Sequence, residues 1–110
     1  MDYKYFTQKE IEGLNDELCA MLDDAREMAE IPFVLTETVR KPGDTKGSPN
    51  SAHYRGLAAD IRCHDSRSRF AMVVSLVAAG FRRTGVYDRH IHVDIDESLP
   101  QDVMWMGKSL

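Results

Sequence analysis

Phe81-Arg82-Arg83-Thr84-Gly85-Val86-Tyr87-Asp88-Arg89-His90-Ile91-His92-Val93-Asp94-Ile95-Asp96 contains two β-forming runs split by a short polar pair. Phe81–Tyr87 and His90–Asp96 read as strands, and Asp88-Arg89 as the turn of a hairpin. In the second run Ile91, Val93 and Ile95 alternate with His90, His92, Asp94 and Asp96. Successive strand side chains point to opposite faces, so one face goes to a core. The other carries two imidazoles and two carboxylates. A solvated strand face more often carries Lys, Thr or Glu. A His-x-His pair alone is equally compatible with surface decoration.

Upstream of the hairpin, Leu57–Cys63 reads as a strand. A helix follows over Arg67–Ala79, capped by Asp65 or Ser66, with Phe70, Val73, Val74 and Val77 expected on its inner face. Gly80 stands where a glycine commonly terminates a helix. Phe33–Val39 is short, apolar and β-branched, again a strand, and Lys41–Asn50 is turn chemistry throughout. The first helix is expected over Gln8–Ala29. Thr7 and Glu10 form a capping box, and Ile11, Leu14, Leu18, Met21, Leu22, Ala25 and Met28 make one apolar stripe, with Gly13 tolerated inside it. Val103–Met106 adds a short edge strand. Two helices segregated from a small, mostly antiparallel sheet make an α+β domain.

The chain has 110 residues, enough for one domain with one modest core. Apolar residues make up 43% and charged residues 29%, which excludes wholesale disorder. Lys and Arg total 14 against 18 Asp and Glu, so no basic excess exists to hold a nucleic-acid backbone. The longest apolar run is too short to cross a bilayer, which takes about 20 residues. No basic segment followed by an apolar stretch opens the chain, so no secretory leader is expected. Cys19 and Cys63 read as free thiols. A monomer is expected.

His53 and Asp60 form a second group of chemistry-bearing residues, seven positions apart with Gly56 between them. A carboxylate in mid-strand beside Ala58, Ala59 and Ile61 is costly if buried without a partner, so Asp60 either faces water or meets a cation. Zinc takes imidazole nitrogen and carboxylate oxygen, and three protein ligands leave a fourth position for water. His53, Asp60 and one of His90 or His92 would make such an open site.

Ser51-Ala52-His53-Tyr54-Arg55-Gly56-Leu57-Ala58-Ala59-Asp60 resembles the SxHxxGxAxD motif of the M15 peptidases, zinc D-alanyl-D-alanine carboxypeptidases and peptidoglycan endopeptidases. His90-Ile91-His92 resembles their HxH motif, and the likeness runs from about Thr36 to Asp94. It implies a Hedgehog/D-Ala-D-Ala peptidase-like fold, with zinc held by His53, Asp60 and His92. It also implies a metal-bound water of lowered pKa, with Ser51 binding substrate. Arg40 would steady the substrate carbonyl or carboxylate, as a fixed positive charge does for a developing oxyanion. Relatives of the ExxH or DxxH type carry the base carboxylate where this chain has Arg89. His90 is therefore the candidate for proton transfer, since imidazole titrates near neutrality, with Asp88 and Asp94 as rivals. Asp94 could instead orient a ligand imidazole. His64 is expected on the surface, and Trp105 in core or edge packing.

The expected function is zinc-dependent hydrolysis of a peptide bond in bacterial peptidoglycan stem peptides, of carboxypeptidase or endopeptidase type. A phage-encoded lysis enzyme (an endolysin), made in the cytoplasm and acting on the wall, fits the expected absence of a leader. A non-catalytic zinc-containing module binding wall or protein, as in the Hedgehog signalling domain, is the alternative. A cysteine hydrolase built on Cys63 is a third reading.

Overall fold

A computed structural model describes residues 2–37 and 55–109. The elements in chain order are α1 (Asp16–Ala29), β1 (Leu35–Glu37), β2 (Ala58–Arg62), α2 (Ser66–Ala78), β3 (Arg83–Val86), β4 (His90–Asp94) and β5 (Val103–Met106). The five strands form one sheet in the order β1-β2-β4-β3-β5. The chain is α+β as expected. The sheet is mixed rather than wholly antiparallel, because β5 pairs parallel to β3. The crossover from β4 is set in place by Asp102, which accepts two hydrogen bonds from the Arg82 guanidinium at 2.8 and 2.7 Å. Val103 N then donates to Arg82 O, starting the ladder.

The first helix starts later than the apolar stripe predicts. The capping box does form: Thr7 N donates to Glu10 Oε1 at 2.9 Å and Glu10 N to Thr7 Oγ1 at 3.2 Å. It caps an isolated turn. Gly13, at φ 80°, swings the chain out of helical geometry, and Asn15 caps α1 afresh by accepting from Glu17 N and Leu18 N. Sequence spacing could not foresee this, because the deciding contact is tertiary: Asn15 N donates to Gly56 O at 2.9 Å.

The expected inner face of α2 is also corrected. Met72, Ser75 and Leu76 are buried, and Val73 packs partly on the core. Phe70 is 73% exposed, and Val74 and Val77 are about half exposed. The helix is apolar nearly all round its middle, so periodicity does not single out a face. Asp65, the N-cap, accepts from Ser68 N, and Gly80 follows the C-cap at φ 109°.

Leu18, Leu22 and Ala25 of α1 and Met72 and Leu76 of α2 share one cluster with Ala59, Ile61, Ile91 and Val93 of the central strands. Removing a Leu- or Ile-sized side chain from water contributes about 1.5–3 kcal/mol each. Both helices thus cover one sheet face, and the pleat delivers Asp60, His90, His92 and Asp94 to the other.

Gly56 fixes the approach to β2. Its φ is 71°, and a Cβ placed there would lie 2.4 Å from Gly13 O. Backbone cannot yield as a flexible side chain does. Gly56→Ala is therefore expected to destabilise the fold by about 2–3 kcal/mol, read as a lower urea midpoint, since left-handed strain adds to the overlap.

Candidate functional site

Asp60 on β2 lies directly opposite His92 on β4, and His92 opposite Gly85 on β3, which in turn faces Trp105 on β5. One cross-strand row thus carries a carboxylate, an imidazole, a gap and an indole. His92 Nδ1 is 3.0 Å from Asp60 Oδ1, and its Nε2 is 2.7 Å from Asp94 Oδ2. Burial works against a charged His92, but hydrogen bonds from both nitrogens to carboxylates outweigh it and raise the pKa to about 9.

Asp94 is 3% exposed. Burial alone would raise its carboxyl pKa, but His92, the Asp96 N–H and Arg83 hold it below the usual range. Arg83 Nε donates to Asp94 Oδ1 at 2.7 Å, its Nη1 donates to Pro100 O at 2.6 Å, and its guanidinium lies 5.0 Å from the Trp105 ring. Asp96, also buried, pairs with Arg55 and accepts from Ser98 N and Oγ.

His90 occupies the next position along the same face. Its Nε2 stands 3.9 Å from Asp60 Oδ2, its Nδ1 lies 2.8 Å from Ser109 Oγ, and its ring stacks on Tyr87 at 4.3 Å. Ser109 is itself held by Arg89 N, which donates to its Oγ, and by Asp88, which accepts from its N–H.

The structure therefore brings Asp60, His90 and His92 together, with Asp94 behind His92. Asp88 faces Ser109 instead. Arg40, Ser51 and His53 lie outside the described residues. Among the described residues no three His, Cys, Asp or Glu side chains enclose a metal position. Asp60 and His92 nevertheless suit a shared cation. Donors on one tetrahedral zinc are about 3.3 Å apart, close to the 3.0 Å between Asp60 Oδ1 and His92 Nδ1. The far nitrogen of His92 already meets a carboxylate, as in metal-ligating histidines generally.

The sequence alone assigns no site role to Arg83 or Ser109, and it leaves Tyr87 between cleft lining and ordinary packing; the structure stacks Tyr87 on His90. Arg83 had a usable signal, since it stands across from Asp94 in the antiparallel register that the hairpin turn implies. Ser109 had none. Trp105 does lie on an edge strand, but its ring sits 5.5 Å from that of His92. His64 is exposed as expected. Cys63 is buried, which pushes its thiol pKa up, and it lacks thiolate character.

A family model described as Peptidase M15 matches residues 4–95. This chain belongs to the M15 peptidase family. No curated protein and no solved structure matches it. The family match makes the chain a peptidase, and the geometry above shows which of its described residues the sheet assembles.

Arg83 is the fixed cation of Asp94. Arg83→Met is expected to cost about 3 kcal/mol in thermal or urea unfolding, because it strips buried Asp94 of its permanent cation and leaves only His92 and the Asp96 N–H to hold the charge. The double variant Arg83→Met/Asp94→Asn should cost less than the sum of the two single changes, which a double-mutant cycle measures directly.

Proposed function

We propose that this M15 peptidase is a zinc enzyme that hydrolyses a peptide bond in peptidoglycan stem peptides, of the D-Ala-D-Ala carboxypeptidase or endopeptidase type. Its place of action is then the bacterial cell wall. The observation that carries the metal reading is the setting of His92, with Nδ1 toward Asp60 at 3.0 Å and Nε2 tied to buried Asp94 at 2.7 Å. Asp60 and His92 would hold the ion with His53 as the third ligand. The substrate class rests on the likeness of Ser51–Asp60 and His90–His92 to the motifs of wall peptidases.

When bound, such an ion supplies Lewis acidity toward the scissile carbonyl and a water of lowered pKa. The remaining work belongs to the chain. Asp94 holds the His92 ring with Nε2 engaged, leaving Nδ1 for the metal side. Arg83 keeps Asp94 ionised and in place. His90 stands beside Asp60 with its ring fixed by Tyr87 and Ser109. Its Nε2 is directed at the same carboxylate, where it can take a proton from the attacking water and return it to the leaving amine. Arg40 and Ser51 are assigned to the substrate.

His53→Ala and Asp60→Ala are each expected to lose bound zinc by elemental analysis. Both should also lose all cleavage of purified peptidoglycan, followed by mass spectrometry of the products. Full cleavage by a chelator-stripped, metal-free preparation would refute the proposal. Asp94→Asn should weaken zinc binding by roughly 10–100-fold in a chelator competition.

His90→Ala should keep zinc and cut the cleavage rate by about 10²–10⁴-fold. If the wild-type protein binds purified wall without ever cutting it, the chain is a zinc-containing binding module rather than an enzyme acting there.

A further inference from the structure

We infer that Trp105 forms the substrate-facing wall of the site and limits the size of the side chain the peptide presents beside the scissile bond. This rests on the peptidase reading above and adds to it a residue from the last strand, outside the stretch the family model matches.

The indole belongs to the site by position. Trp105 faces Gly85, and Gly85 faces His92, so the three share a row with Asp60. It also belongs by packing, because Gly85 has no side chain and the indole fills the vacated space. A Cβ on Gly85 would stand 2.6 Å from Trp105 Nε1 and 2.7 Å from Cε2. The ring is held rather than loose. Its Nε1–H donates to Tyr87 Oη at 3.0 Å, and the Arg83 guanidinium lies over it. Tyr87 stacks on His90 and Arg83 grips Asp94, so the wall and the reacting groups share two supports.

A half-buried aromatic ring fixed on both sides, 5.5 Å from the imidazole, suits apolar contact with a ligand. A carbonyl brought to Asp60 and His92 carries its flanking side chain toward this ring. The indole occupies the space over Gly85, so a ligand side chain cannot enter that space. A methyl group fits against the flat wall, whereas a branched or aromatic side chain meets it. The ligand class is thus a peptide with an alanine-sized residue next to the cleaved bond.

The test uses the zinc-loaded protein and synthetic stem pentapeptides in which the residue on either side of the cut bond is alanine, valine or phenylalanine of unchanged chirality. Wild type should prefer alanine on the Trp105 side. Trp105→Ala should keep its zinc, raise KM for the alanine peptide, and shift the kcat/KM preference toward the larger residue by about tenfold or more, the scale set by one or two methylenes in a pocket. Trp105→Phe, which restores a flat ring, should return most of the preference. Trp105→Leu carries the same comparison if the alanine variant fails to fold by circular dichroism. A preference unchanged in the folded, zinc-bound variant overturns the inference. Wild-type protein that cuts none of the stem peptides overturns the peptidase reading instead, so the two failures are distinguishable. The chain has one tryptophan. Its emission should therefore shift when the alanine peptide binds to the His90→Ala protein, and an unchanged emission at saturating peptide counts against the wall.

Discussion

The constraint on which the site depends is the suspension of one imidazole between two carboxylates from two directions. Asp60 reaches His92 across the β2–β4 ladder, and Asp94 reaches it from two residues along the same strand. Neither contact survives a register slip, because moving one strand by a single residue turns every side chain to the opposite face. The apolar face prevents that slip. Ala59, Ile61, Ile91 and Val93 are buried under the helices, and any shift would expose them while burying charge. Hydrophobic burial on one side of the sheet therefore sets the geometry of ionic chemistry on the other.

That arrangement concentrates negative charge. Asp60, Asp94 and Asp96 are all buried, and a buried carboxylate is tolerated only when cations or donors reach it. Arg83 serves Asp94, Arg55 serves Asp96, and His92 serves both Asp60 and Asp94. The arginines are permanent cations, whereas His92 is conditional. Its raised pKa records how strongly the pair of carboxylates demands positive charge between them. A divalent ion beside Nδ1 would answer the same demand from the same direction, which makes the proton and the metal physical alternatives at this point.

Much of this was legible in the sequence because strands announce their faces. The alternation His90, Ile91, His92, Val93, Asp94 fixes both the buried side and the row of donors, and the hairpin turn sets its partner strand. Helix placement was less legible. The Thr7–Glu10 box and an unbroken apolar stripe predict one long helix, yet the bond from Asn15 N to Gly56 O, 41 residues away, rewards a break at Gly13. In α2 the apolar residues surround the axis, so no period could show that Met72 and Leu76 face inward while Phe70 faces out. Trp105 and Ser109 reach the site only through the parallel crossover of β5, which local pattern does not encode.

The break at Gly13 also bears on how the chain enters β2. The segment bearing His53 joins the described sheet through Arg55 and Gly56, and each is anchored to a different part of the molecule. Arg55 is tied to buried Asp96 just beyond β4, while Gly56 lies against the Gly13 turn and accepts from Asn15. Two anchors on adjacent residues fix both position and direction of the chain as it enters β2, which one anchor cannot do. The capping-box turn and the new start of α1 at Asn15 are thus what the fold exchanges for a longer helix. The exchange places a rigid entry point two residues after His53 in the sequence and four residues before Asp60. If His53 and Asp60 share an ion as proposed, order in the described stretch 55–60 lowers the entropy cost of bringing them together.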